Sequence, residues 1–121
     1  MATRSLIGYL EPDGTYTAIY CHNDGYLSYN GFILLNHYND IEKIKNLLSG
    51  GDVSSLKEEI EETKYFKDDS SPCNYKFHEI EEIFKDYWIE YIYVFSSKDG
   101  WSFSKDFKEY KKLTLEEIEK D

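Results

Sequence analysis

Cysteine is scarce in this chain: Cys21 and Cys73 are the only two in 121 residues. That is too few for a disulfide framework and ordinary for a cytosolic protein that keeps its thiols reduced. Arginine is scarcer, with Arg4 alone, so a bidentate guanidinium fork is available once. Neither G-x-x-x-x-G-K-S/T nor G-x-G-x-x-G occurs, which removes the phosphate loop and the dinucleotide fingerprint. No stretch reaches the roughly 18 apolar residues of a membrane span, and the first twenty residues lack the apolar run of a signal peptide. A soluble, cytoplasmic protein with no membrane partner is expected. Positive charge is also short, with 14 basic against 24 acidic residues and a net charge of −10, so a long nucleic acid is excluded as a partner. The same charge leaves room for a small anion in a locally basic pocket, or for a basic protein partner on an acidic face.

What the chain has instead is aromatic weight: 12 Tyr, 7 Phe and 2 Trp in a length that allows one domain, residues 1–121, with a modest core. "SLIGYLEPDGTYTAIYCH" reads as a hairpin turning at Pro12-Asp13-Gly14. Leu6, Gly8 and Leu10 alternate with Ile7 and Tyr9, so both faces carry apolar residues and helices are expected on one of them. "YWIEYIYVFSS", then "KDG", then "WSFSKDF" predicts a second hairpin. Between them, helices are predicted over about 31–38, 40–49 and 79–87. The middle one is to be capped by Asn39 with Glu42 as the capping-box partner, and the last carries Ile80, Ile83, Phe84 and Tyr87 on one stripe. "VSSLKEEIEETKYF" predicts a short exposed helix, "KDDSSPCN" a loop, and "TLEEIEK" a closing helix capped by Thr114. The fold class is therefore α+β, an antiparallel sheet of two hairpins decorated by three to four short helices.

"IYCHNDGYLSYNG" gathers a cysteine, a histidine and an aspartate where a strand pattern ends, which raises the question of a reaction centre. Cys21 and His22 are adjacent and point to opposite faces of a strand, a poor start for one metal. With His37, Cys73 and His78 they read better as buried thiols and surface imidazoles, and a lone strand cysteine is usually a small hydrophobe. The segment reads as architecture: a turn at Asn23-Asp24-Gly25, helix entry at Asn30-Gly31, and backbone amides near Gly25 and Gly31 facing an anion. Rings beside cations in the second half suggest a nucleotide platform. The candidate ligand residues are Arg4, Tyr75, Phe77, Tyr91, Trp101, Lys105 and Lys108, with a nucleobase stacked on Tyr75, Phe77 or Trp101 and phosphates on the cations. Aromatics alternating on strands equally serve core or interface packing.

"ATRSLIGYLEPDGTYTAIYCHNDGYLSYNG", followed by "LLNHYND" and "GGDVSSL", resembles over roughly the first 56 residues a family of small phage and mobile-element proteins that includes the first Thoeris anti-defence family. The resemblance implies a protein that binds, without cleaving it, a cyclic ADP-ribose isomer made by a TIR-domain enzyme. It implies pockets at a homodimer interface, some members forming larger assemblies that also capture cyclic oligonucleotides. The expectation is a non-enzymatic sponge with no cofactor and no metal, acting in the cytoplasm of an infected bacterium as a homodimer or larger homo-oligomer. Two other classes stay open on the residues: an acidic inhibitor covering a basic host surface, and a nucleotide-cleaving enzyme.

Overall fold

In the computed structural model, residues 3–66 and 70–120 are described. The chain runs β1 (Arg4–Leu10), β2 (Tyr16–Asn23), a π-helical turn (Leu27–Gly31), α1 (Phe32–His37), α2 (Ile41–Ser49), β3 (Val53–Ser55), a 3-10 turn (Ile60–Glu62) and β4 (Lys64–Tyr65). It continues through β5 (Cys73–Tyr75), α3 (Phe77–Phe84), β6 (Ile89–Ser96), β7 (Gly100–Ser104), β8 (Lys111–Lys112) and α4 (Leu115–Lys120). The fold is α+β, with a mostly antiparallel sheet of eight strands and four short α-helices among the described residues.

Both predicted hairpins are present, β1 with β2 and β6 with β7. The first turns where Gly14 adopts φ +88° and Asp13 Oδ1 accepts the Thr15 amide at 3.0 Å. What joins them is a parallel pairing of β1 with β6, running from Arg4 opposite Ile89 to Tyr9 opposite Phe95. The sheet order is β4-β3-β2-β1-β6-β7-β8, with β5 alongside Tyr16–Ala18 of β2. The two hairpins thus form one continuous surface.

Helices cover both faces of this sheet, not one. Ile7, Ile19, Cys21, Tyr93, Phe95, Trp101 and Phe103 pack with Leu34, Ile44, Leu47 and Ile118 of α1, α2 and α4. On the other side, Leu6, Tyr16, Ala18, Ile92 and Val94 meet Ile80 of α3. Both faces of β1 and β6 are apolar, so each must be covered, and a fully buried aliphatic or aromatic side chain contributes about 1.5–3 kcal/mol.

Several local expectations change. The cap of α2 is Asp40, whose Oδ1 accepts the Glu42 amide at 3.2 Å, while the Asn39 amide group turns back to Leu35 O at 2.7 Å. The predicted helix at "VSSLKEEIEETKYF" is absent: Val53–Ser55 pairs in parallel with the end of β2, and only a 3-10 turn forms before β4. Burial of Val53 and Leu56 anchors an extended path there, and four glutamates within five residues repel one another. Of the predicted "KDDSSPCN" loop, residues 67–69 lie outside the described residues, and Cys73 and Asn74 belong to β5. α3 starts at Phe77 and stops at Phe84. Of its predicted stripe only Ile80 is fully buried, with Ile83 and Tyr87 exposed.

The segment after Cys21 is a buried polar knot. Asn30 Nδ2 donates to Ser5 Oγ at 3.2 Å and to Cys21 Sγ at 3.3 Å. The Tyr93 hydroxyl donates to Gly25 O at 2.6 Å, and the Gly25 amide to Thr3 O at 2.8 Å. A Cβ at Gly25 would sit 2.7 Å from Thr3 O, so close approach of two backbones dictates glycine there. These amides do not face an anion: Gly25 N is used by Thr3, and Gly31 N points to Tyr26 O at 3.5 Å.

Tyr93→Phe leaves the Gly25 carbonyl without that donor in the core, and a loss of about 1–3 kcal/mol in urea unfolding is expected.

Candidate ligand-binding cleft

Because β1 and β6 run in parallel register, the first residue of β1 lies opposite Ile89, one residue past Trp88. That register, with a bulge between Arg4 and Ser5, sets the lone guanidinium against the indole, its central carbon 5.6 Å from the ring centroid. Arg4, Tyr20 of β2, Phe84 at the end of α3, and Asp86, Tyr87 and Trp88 of the following turn line a cavity of about 540 Å³. Its size lies in the range of small-molecule sites, roughly 300–1,000 Å³.

Three features distinguish the cleft from ordinary surface. First, Arg4 is half-buried and forms no ion pair among the described residues, although the chain carries 24 carboxylates. Second, Trp88 is 75% and Tyr87 60% exposed, the largest exposures among the described bulky hydrophobics. Third, Trp88 sits at φ +58°, a left-handed backbone that costs a bulky residue about 1–2 kcal/mol and that only Asp24 and Phe107 share among the described non-glycine residues. The Tyr20 hydroxyl shares a 2.6 Å hydrogen bond with His22 Nδ1. Burial raises the Tyr20 pKa, with Arg4 pulling it the other way. The cleft therefore presents a cation, flat rings, polar tips and the Asp86 carboxylate, of which the cation and the rings suit a planar anion.

The sequence-predicted residues do not form one platform. Only Arg4 lies in this cleft. Tyr75 lines an adjoining cavity and packs edge-on against Phe84 at 5.3 Å. Phe77, at the opposite end of α3, stacks on Tyr16 at 5.5 Å and lines a separate cavity with Leu10 and Tyr110. Tyr91 is on the other sheet face, stacked on Tyr93 at 6.2 Å with the Lys105 ammonium 5.6 Å from its ring. Lys105 also lines a cavity of about 320 Å³ with Lys111 and Lys120. Lys108 is exposed on the loop, its amide donating to Asp106 Oδ1 at 2.9 Å. Trp101 is 2% exposed, with Nε1–H donating to Tyr38 O at 2.7 Å, so it is a core residue and offers no face to a ligand. Tyr20, Tyr87 and Trp88 escape sequence reasoning because Trp88 falls inside an aromatic run that reads as strand. The available signal was the end of the α3 spacing at Tyr87.

Cys21 is fully buried, and burial pushes its thiol up to about 11, so little thiolate exists near neutral pH. No group of three or more His, Cys, Asp or Glu converges on a metal position among the described residues. Also among the described residues, no helix is long and apolar enough to cross a membrane. No protein-family model, curated protein or solved structure matches the chain.

Trp88→Gly exchanges a cation–π contact worth about 0.5–1 kcal/mol for relief of about 1–2 kcal/mol of backbone strain. The variant is expected to be at least as stable as the parent in thermal unfolding. Acrylamide quenching should lose its accessible component, leaving the buried Trp101. At pH 8, Ellman's reagent should titrate Cys73 in the native protein and reach Cys21 only after denaturant is added.

Proposed function

We propose that this chain binds and holds a cyclic ADP-ribose isomer in the Arg4–Trp88 cleft without cleaving it, and so removes the signal on which Thoeris immunity depends. The observation that carries the reading is the half-buried Arg4 guanidinium, bordered by four aromatic side chains and forming no ion pair among the described residues, not even with Asp86 of the same cleft. A buried or half-buried charge normally finds a counter-ion. A phosphate provides one, and a base stacked on Trp88 or Tyr87 adds about 1–3 kcal/mol. The resemblance of the first 56 residues to the anti-defence family supplies the ligand class.

The proposed mechanism is mass action. A protein made in excess over the signal lowers its free concentration below the effector's threshold, for which affinity and slow release suffice and a nucleophile is not needed. The exposed rims of Tyr87 and Trp88 leave the cleft open on one side, and a second copy in a homodimer would enclose the ligand there. The cytoplasm of an infected bacterium is the compartment in which that signal is made.

Calorimetric titration with cyclic ADP-ribose isomers is expected to show binding near one ligand per subunit, with intact nucleotide recovered after heat release. Arg4→Ala should weaken it by about 10- to 100-fold, the loss of a charge-assisted contact. Absence of binding to every isomer, or an unchanged affinity in Arg4→Ala, rejects the reading. Capture of a basic host protein in a salt-sensitive complex would then favour the acidic-inhibitor alternative.

A further inference from the structure

The cleft does not end at Tyr20 and Phe84. The same two side chains border a second cavity of about 300 Å³, whose wall turns from aromatic to polar at Asp52, Ser70, Ser71 and Cys73. Tyr20 and Phe84 form the waist between an aromatic lobe that holds Arg4 with Asp86 and a more polar lobe that holds Asp52. Asp52 is fixed in place: its Oδ1 accepts the Tyr20 amide at 3.0 Å, and its own amide donates to Ser70 Oγ at 2.9 Å. The carboxylate forms no ion pair among the described residues. An ionised carboxylate offers about four acceptor positions and no donor, and only one of them is used in these contacts. Negative charge repels a phosphate there, whereas neutral hydroxyls donate to it.

Resting on the reading of the Arg4–Trp88 cleft, we propose that the polar lobe receives the second sugar of the ligand, with Asp52 accepting from its hydroxyls. The base then lies in the aromatic lobe and the phosphates lie near Arg4. The cleft accordingly selects ligands of the form base–diphosphate–sugar over simple nucleotides, and Asp52 is the residue that makes the distinction.

ADP shares base and diphosphate with a cyclic ADP-ribose isomer that binds in the first titration but lacks the second sugar; because ADP is also uncyclised and carries a more highly charged terminal phosphate, the losses that Asp52→Asn causes on each ligand isolate the polar lobe. The parent protein is expected to bind the isomer at least about tenfold more tightly than ADP. Asp52→Asn retains Oδ1 for the Tyr20 amide. It should weaken the isomer by about tenfold while changing ADP by less than about twofold. Ser71→Ala, on an exposed side chain at the rim of the lobe, should shift the isomer alone in the same direction by about threefold, a check that stands if Asp52→Asn proves poorly folded in thermal unfolding. Equal affinity of the parent protein for both nucleotides, or equal losses for both in Asp52→Asn, overturns the proposal while leaving the cleft reading intact. No binding of either nucleotide by the parent overturns both.

Discussion

The parallel pairing of β1 with β6 is the constraint on which the rest of this structure depends. Without it the chain would be two hairpins of opposite ends with helices between them. With it, Leu6 and Ile7 insert beside Ile92 and Tyr93 at the centre of one sheet, and each face acquires its own apolar layer. The contact is distant in sequence, so closing it costs loop entropy that local hairpins do not incur. Burial on both faces offsets that cost. Tyr93 reinforces the seam from both sides: its hydroxyl holds Gly25, and its carbonyl accepts the buried Tyr16 hydroxyl at 2.7 Å.

The same seam creates the cleft. A register one residue away would turn Arg4 and the side chains beside it to the other face, and the guanidinium would no longer meet the indole. Strain in the turn before β6 then has a structural consequence, because the left-handed backbone at Trp88 lets α3 end and β6 begin with its indole beside Arg4. Electrostatics divide by range. The net charge of −10 acts over a screening length of about 8 Å at physiological salt and opposes the approach of any anion. Arg4, in a cleft lined by four rings and Asp86, acts at contact distance. Affinity for an anion in such a protein must come from close, desolvated contacts, and encounter is not accelerated by the overall field.

Local signals carried much of the secondary structure. The Asp13-Gly14 and Asp99-Gly100 turns, the α2 spacing of Ile41, Ile44, Leu47 and Leu48, and the Thr114 cap were legible because each rests on neighbours within about four residues. Thr114 Oγ1 accepts the Glu117 amide at 3.1 Å as the pattern predicts. The strands at Val53 and Cys73 were not legible. Three-residue strands have too little periodicity to announce themselves, and they form only because β2 offers a free edge to each. Trp88 and Trp101 illustrate the limit for the candidate site: both lie in aromatic, strand-like runs, yet one is 75% exposed in the cleft and the other 2% exposed in the core.

By itself, then, the amino-acid sequence determined the class of fold, the two hairpins, the excess of negative charge, the aromatic weight of the chain and the solitary status of Arg4. These follow from composition and from interactions along the chain. Only the tertiary structure decided which aromatics meet that arginine, that α3 lies on the opposite face from the other helices, and that Asp52 stands beyond Tyr20. Each of those depends on strand register and on which sheet edge accepts which segment, quantities set by burial summed over the whole molecule and not by any local run of residues.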